Sequence, residues 1–108
     1  MSLSTHVLDA TTGVPAYGIA VTLDSQVDGE WRRVAEGTTD ADGRIRELGA
    51  PAAGRHRIGF DTGAYFARAG VAAFYPEVTV TFEIADPAAH HHVPLLLSPF
   101  AYSTYRGS

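Results

Sequence analysis

The chain has 108 residues and a formal net charge of −4, contains no cysteine, and carries eight cationic side chains that are all arginine. This length predicts one domain over residues 1–108, which can bury about two-thirds of the surface that its unfolded chain exposes. The lack of cysteine excludes disulfides, a thiol nucleophile and thiolate metal sites, and the lack of a basic cluster argues against a nucleic-acid partner, because neutralising phosphates needs clustered cations.

The first residues carry no sign of export. They include neither a basic segment nor a long apolar one, and no window of the sequence approaches the ~20 apolar residues that a membrane-spanning helix needs. We therefore expect a soluble, cytoplasmic protein without a membrane partner.

The chain begins with a predicted strand over residues 3–9, and residues 11–16, which include glycine and proline, are predicted to form the loop that ends it. Successive side chains of a strand point to opposite faces. His6 is therefore expected to point away from the face that carries Val7.

Three further strands are predicted in the first half of the chain. Residues 18–27 alternate apolar and polar side chains, as a half-buried antiparallel strand does. Asp28-Gly29 favours a tight turn with positive φ and predicts a hairpin with residues 30–38. A second Asp-Gly turn precedes a short strand predicted over 44–48.

One helix is predicted, over residues 61–70, where Gly70 can end it. Its candidate N-caps are Asp61 and Thr62. A helix of about two turns is marginal by itself, so an aromatic side chain must dock it on a sheet. The candidates for that contact are Tyr65 and Phe66.

The remaining strands are predicted over 55–60, 77–84, 90–97 and 101–106. Together these segments make eight short strands at the regular spacing that is typical of an antiparallel sandwich. The predicted fold is all-β, an eight-stranded antiparallel sandwich with one short helix. A small barrel has the same periodicity and stays open as an alternative.

Two histidines share one face of the strand predicted over 90–97. Alternation places His90, His92 and Pro94 on that face, and the core face then carries His91, Val93, Leu95 and Leu97. Pro94 favours an edge or an irregular position, because proline cannot donate to a sheet ladder. His90 and His92 would lie about 6.6 Å apart and could reach one metal ion, but two imidazoles are a weak signal, since zinc takes three or four protein ligands.

His6 and Arg44 are further candidates for chemistry. A neutral imidazole can act as a general base near pH 7, and a guanidinium can hold a planar anion or an oxyanion through two hydrogen bonds. Spacing alone does not show that these side chains meet His92. A serine nucleophile is not indicated, because the chain lacks the Gly-x-Ser-x-Gly elbow.

Five segments spread along the chain match the motifs of one protein family. They are Leu3-Ser4-Thr5-His6-Val7-Leu8-Asp9, Thr39-Asp40-Ala41-Asp42-Gly43-Arg44, Phe60-Asp61-Thr62-Gly63-Ala64-Tyr65-Phe66, Tyr75-Pro76-Glu77-Val78 and the terminal Tyr105-Arg106-Gly107-Ser108. On these motifs the chain resembles the 5-hydroxyisourate hydrolases, the transthyretin-like proteins of urate degradation. The transthyretin hormone carriers look similar around residues 97–104, but they lack the histidine before Val-Pro and the terminal tetrapeptide.

The resemblance implies an eight-stranded transthyretin-like sandwich with one short helix, assembled as a homotetramer, a dimer of dimers with two active sites in the channel between the dimers. It implies hydrolysis of the cyclic amide of 5-hydroxyisourate, which opens the six-membered ring to 2-oxo-4-hydroxy-4-carboxy-5-ureidoimidazoline. No metal or organic cofactor is expected.

The resemblance also implies roles for single residues. Arg44 would bind the substrate and its developing negative charge, and His92 or His6 would act as the base, with His6 also contributing to binding. Tyr105 and Ser108 would line the site, and Ser108 belongs to the implied catalytic set. Which histidine is the base stays open.

Two positions depart from the family pattern, and two other functions compete with hydrolysis. His91 stands where the family usually has an aromatic residue, and Ala101 where it often has glycine, so we expect modest effects on specificity or packing. The competing hypotheses are a carrier that binds a small aromatic ligand in a tetramer channel, and a metal-binding module formed by His90, His91 and His92.

Overall fold

The computed structural model describes residues 2–108 as two β-sheets and a short helix. In chain order the elements are β1 (Leu3–Asp9), β2 (Val14–Pro15), β3 (Ala20–Val27), β4 (Glu30–Thr38), β5 (Arg44–Ile45), β6 (Gly54–Phe60), α1 (Thr62–Arg68), β7 (Val78–Ile84), β8 (His91–Leu97) and β9 (Tyr102–Thr104). Among these residues no helix has the length and apolar character needed to cross a membrane.

The strands divide into two sheets. One has the order β2-β1-β8-β9, and β5 pairs with β1 on the side of β1 that faces away from β8. The other has the order β4-β3-β6-β7. The predicted all-β sandwich is therefore confirmed. Two later segments of the chain pair with β1, β8 on one side and β5 on the other.

Alternation predicts the buried faces correctly. On β8, Val93, Leu95 and Leu97 are no more than 8% exposed, and Leu3 and Val7 of β1 are fully buried. These side chains meet the apolar face of the second sheet in one core cluster. The core therefore packs against one face of β1 and β8, the two strands that carry the candidate histidines. The opposite face of these strands lies outside the core.

The predicted hairpin between β3 and β4 is also confirmed. Asp28 has φ of 54° and Gly29 has φ of 80°. Positive φ at both central residues is the geometry of the tight hairpin turn that Asp-Gly favours, and β3 and β4 pair through to Val27 and Glu30 at the turn.

The helix is one residue shorter at its start and two at its end than predicted. Asp61 occupies the N-cap position but makes no side-chain capping bond. After the helix, Gly70 has φ of 69° and its N–H donates to Ala67 O, while Val71 N–H donates to Phe66 O. This pair of bonds is a Schellman motif, and Phe66, at 3% exposure, provides the expected contact with the core.

Three details of the predicted sandwich need correction. The strand count is nine instead of eight, because Val14–Pro15, predicted to be loop, pairs with the end of β1. The strands predicted over 44–48 and 101–106 are shorter, at Arg44–Ile45 and Tyr102–Thr104. The sandwich is not wholly antiparallel, since β1 and β8 are parallel. Parallel neighbours need a long crossover, and here that connection contains the whole second sheet.

Candidate active site

The outer face of the first sheet collects the predicted site residues. In register, His6 of β1 pairs with Arg44 of β5 on one side and with Pro94 of β8 on the other, while Ser4 pairs with His92. Paired residues of neighbouring strands project to the same face. The β1–β8 pairing thus makes His6 and His92 diagonal neighbours, although 85 residues separate them in the chain.

Arg44 is held against β1 by the turn that precedes it. Asp40 Oδ1 accepts a 3.0 Å hydrogen bond from the Arg44 backbone N–H, and this bond is the main cause of the lowered pKa of Asp40. Gly43, with φ of 74°, lies so close to Val7 O that a Cβ would not fit between them. The turn therefore needs glycine at this point, and it delivers Arg44 beside His6.

A pocket of about 250 Å³ opens on this face. It is lined by Ser4, Thr5, Arg44, Ile45, Arg46, His90, His92 and Ser108. The volume lies just below the ~300–1,000 Å³ of pockets for drug-sized ligands, and two guanidinium groups border it. Such a pocket suits a small, polar, anionic ring system.

His92 is the most constrained histidine of the pocket. Its Nδ1 lies 2.7 Å from Ser4 Oγ, which leaves Nε2 as the ring nitrogen available to a bound molecule. Burial lowers the pKa of His92, and electrostatic interactions with Arg44, His6 and His90 lower it further, against a smaller opposing effect of Ser4. A neutral imidazole at pH 7 is the form that can accept a proton from water.

The end of the chain packs directly on His92. Gly107 N–H donates a 2.9 Å hydrogen bond to His92 O, and the two residues form an isolated antiparallel bridge. A Cβ on Gly107 would lie 2.5 Å from His92 Cδ2. Only glycine allows this approach, and the bridge carries Ser108 to the rim of the pocket.

Pro94 occupies the irregular position that its missing N–H favours. β8 pairs with β9 over Leu95, Leu96 and Leu97, and meets the tail again only at His92 among the described residues. Pro94 therefore falls in the gap between the two pairings, where no ladder donor is required of it.

Tyr105 does not line the pocket that Arg44 and Ser108 line, and among the predicted site residues it shares a cavity only with His92. It is 60% exposed and borders a second cavity of about 260 Å³, which opens between the edge strands β7 and β9. The lining of that cavity is mainly apolar on the β7 side, with Val80 and Phe82. His92 is the one predicted catalytic residue that borders both cavities.

The three consecutive histidines do not converge on one point. His91 is 8% exposed on the core side of β8 and its Nδ1 donates to Ala89 O at 3.0 Å, while His90 and His92 lie on the pocket side. Within residues 2–108 no group of three or more histidine, cysteine or acidic side chains is placed to hold a metal ion.

Sequence reasoning missed two contributors to the site, Ser4 and the backbone of Gly107. Residues two apart on a strand share a face, so Ser4 lies on the face of His6. Hydroxyl groups on exposed strand faces are common, however, and nothing in the spacing links Ser4 to a histidine 88 positions away. The signal that could have found Gly107 is its position in the terminal motif, which does not reveal the close approach to His92.

Comparison with known proteins identifies the family of the chain. Residues 3–107 match the model of the HIUase/Transthyretin family. Among curated relatives, 5-hydroxyisourate hydrolase of Salmonella typhimurium is 48% identical over 109 residues, covering 98% of this chain and 80% of the relative. The mouse 5-hydroxyisourate hydrolase is 41% identical, covering 98% of this chain and 94% of the relative.

Solved structures show the same relationship. The 5-hydroxyisourate hydrolase of Klebsiella pneumoniae superposes with a TM-score of 0.88 at 43% identity and full coverage of both chains. Sea bream transthyretin in complex with thyroxine superposes with a TM-score of 0.92 at 37% identity, covering 99% of this chain and 95% of the other. From its sequence, its fold and the residues gathered on β1, β5 and β8, the chain belongs to the HIUase/Transthyretin family.

Proposed function

We propose that the chain is a 5-hydroxyisourate hydrolase that acts in urate degradation through a single domain spanning residues 1–108. The observation that carries this function is the convergence of Arg44, His92 and Ser108 on one pocket next to His6, in a chain whose curated relatives are hydrolases of that name. The substrate is a heterocycle rich in oxygen, and the cationic, polar pocket matches it.

His92 is the base in the proposed reaction. A water molecule gives a proton to His92 Nε2 while its oxygen adds to a ring carbonyl carbon, and Arg44 stabilises the negative charge that develops on the carbonyl oxygen. The carbon–nitrogen bond of the six-membered ring then breaks, and the departing nitrogen takes a proton from His92 or from His6. The product is 2-oxo-4-hydroxy-4-carboxy-5-ureidoimidazoline.

The lowered pKa of His92 supports its assignment as the base, because the neutral ring is the form that accepts a proton. His6 is half-buried, and its partner in register is Arg44. It binds the substrate and is one of the two histidines that can protonate the departing nitrogen, while Ser108 forms the rim of the site.

The proposed assembly is a homotetramer, a dimer of dimers with two active sites in a channel. Two features support it. The edge strands β7 and β9 lie on the same side of the sandwich with half-exposed apolar side chains between them, and exposed edges of this kind pair with other chains. Phe100 and Tyr105 are also exposed by more than half. In this assembly Tyr105 is a wall of the channel.

The assembly is tested by light scattering coupled to size-exclusion chromatography. We expect a particle four times the mass of the chain. A monomer that turns over substrate normally would contradict the tetramer without affecting the proposed reaction.

The competing hypothesis is a carrier, which the close superposition with a thyroxine-bound transthyretin favours. Arg44 and His92 in the pocket argue against an apolar ligand, because burying them against one would leave polar groups without partners. Tight binding of hydrophobic aromatic ligands, together with no turnover of 5-hydroxyisourate, would favour the carrier.

Substrate decay tests the proposed function directly. Freshly generated 5-hydroxyisourate is followed by its ultraviolet absorbance with the wild type, His92→Ala and Arg44→Ala. We expect rapid decay with the wild type and a loss of about 10²-fold or more in each variant. A wild-type protein that leaves the spontaneous rate unchanged would refute the function, and near-normal rates in either variant would refute the assigned roles.

The predicted cytoplasmic location also stays a proposal. Fractionation of cells that express the chain at its natural level checks it, and recovery outside the cytoplasmic fraction would refute it.

A further inference from the structure

Ser4 contacts two histidines through one hydroxyl group. Its Oγ lies 2.7 Å from His92 Nδ1 and 2.9 Å from His90 Nε2, and the residue is only 8% exposed. A serine hydroxyl has one proton to donate and two lone pairs with which to accept. Ser4 therefore cannot donate to both rings, and at least one imidazole must donate to it.

Two arrangements satisfy both contacts when each ring is neutral. In the first, Ser4 donates to His90 Nε2 and accepts from His92 Nδ1–H, so that His92 Nε2 carries no proton. In the second, Ser4 donates to His92 Nδ1 and accepts from His90 Nε2–H, so that His92 Nε2 is protonated. The two arrangements give His92 opposite properties, since only the first leaves Nε2 as a basic nitrogen.

The charge of Arg44 distinguishes the two arrangements. Its guanidinium borders the pocket, and of the groups that act on His92 electrostatically it has the largest effect on the pKa of that ring. An unprotonated ring nitrogen directs a lone pair at the pocket and is attracted by this cation, whereas an N–H directs partial positive charge at it and is repelled.

The exposure of His90 fits the same arrangement. The ring of His90 is exposed, and its Nδ1 lies 3.4 Å from Ser2 Oγ. In the first arrangement His90 Nδ1 carries the proton, and this N–H can donate a hydrogen bond to water or to Ser2. No polar group of His90 is then buried without a partner.

We propose that Ser4 and His90 are positioning residues that hold His92 with its proton on Nδ1 and a bare Nε2 facing the pocket. Ser4 orients the His92 ring by accepting a hydrogen bond from Nδ1–H. His90 orients Ser4 by accepting a hydrogen bond from its hydroxyl group. When Nε2 takes a proton from water, the Nδ1–H bond to Ser4 stays in place and stabilises the cation. The effect on turnover rests on the proposed hydrolase function, whereas the tautomer itself does not.

Nitrogen-15 NMR of histidine-labelled protein tests the tautomer without substrate. The spectra are recorded at a pH where His92 is neutral, and its signals are assigned with His92→Gln. We expect the shifts of a protonated Nδ1 and an unprotonated Nε2 in the wild type, and averaged shifts in Ser4→Ala. A wild-type spectrum with an unprotonated Nδ1, or one that Ser4→Ala leaves unchanged, would overturn the proposal.

Kinetics test the consequence for catalysis. We expect Ser4→Ala to lower kcat about 10- to 100-fold, part of the range of general acid–base catalysis, with KM within about threefold of the wild type. Ser4→Thr keeps the hydroxyl and should restore most of kcat. The matched control is Ser25→Ala, which removes a hydroxyl 2.7 Å from Nδ1 of His56 on the other sheet and should leave kcat unchanged.

Two substitutions of His90 distinguish the effect of its hydrogen bond with Ser4 from the effect of the size of its ring. His90→Gln keeps an acceptor and should stay within about threefold of wild-type kcat, whereas His90→Phe keeps a ring without an acceptor and should lose about tenfold. Equal rates in these two variants, or an unimpaired Ser4→Ala, would refute the role of the pair in turnover. If the wild type does not hydrolyse 5-hydroxyisourate at all, the proposed function fails while the NMR result still decides the tautomer.

Discussion

The protonation of His92 is controlled by the residues around its ring. Burial is the largest cause of its lowered pKa, followed by electrostatic interactions with Arg44, His6 and His90, and Arg46 also borders the pocket. Since the neutral ring is the proposed base, activity should rise with pH through the pKa of His92. A lowered pKa places this rise below pH 6.5, the usual value for histidine.

The pH profile of Arg44→Ala gives a signed prediction. Removing the positive charge raises the pKa of His92, so the residual kcat/KM should reach its plateau at a higher pH than in the wild type. Both profiles are measured by ultraviolet decay of substrate. A profile that moves to lower pH would contradict the position of Arg44 beside His92.

Gly107→Ala should impair the site while leaving the fold intact. The new Cβ would lie 2.5 Å from His92 Cδ2 and 3.3 Å from Pro94 Cγ, so either the ring or the tail must move. We expect kcat to fall at least about tenfold, because small displacements of a catalytic group are costly. The melting temperature, measured in parallel, should change by only a few degrees, and wild-type kcat would show that the tail yields without disturbing His92.

For single residues, the sequence predicted which face of a strand a side chain occupies better than it predicted which side chains are in contact. Val93 and Leu95 mark the inner face of β8, so the outward direction of His92 followed from alternation. The Ser4 contact could not follow from it, because a two-residue period assigns a face but does not identify the strand alongside.

Among the secondary-structure elements, α1 depends for its stability on the residue that follows its C-terminal end. Gly70 has φ of 69°, and a Cβ there would meet no atom within 4 Å, so substitution strains only the backbone. Gly70→Ala should destabilise the protein by about 1–2 kcal/mol, and Gly70→Asn by less, because asparagine tolerates the left-handed conformation. Urea unfolding of both variants checks this order, which would be reversed if space, and not φ, were limiting.

The element boundaries and turns were more predictable than the pairing of the strands. Asp28 and Gly29 fix their hairpin locally, and Gly70 ends its helix locally, so both were read correctly from neighbouring residues. β5 begins at the predicted Arg44 but is shorter than predicted. Its docking on β1 depends on the close approach of Gly43 to Val7, which only the folded chain shows.

In the whole molecule, we expect the C-terminal tail to be needed for activity but not for folding of the sandwich. Deleting residues 105–108 removes the bridge to His92 and the contribution of Ser108, but retains every strand through β9. We expect turnover to be lost while the far-ultraviolet circular dichroism spectrum keeps its β-sheet form. The single change Ser108→Ala is the comparison, and it should lose less than the deletion. An active truncated protein would show that the tail is dispensable.

The parallel pairing of β1 with β8 has a consequence for how the protein comes to be active. The contacts between these strands join residues as many as 88 positions apart, so forming them closes a loop of nearly the entire chain and must overcome the entropy of that closure. Folds dominated by such distant contacts reach the native state slowly, in milliseconds to seconds. On the ribosome, β8 emerges after every other element of the sandwich except β9. The pocket therefore forms late, and a nascent chain that already contains the whole second sheet still has no active site.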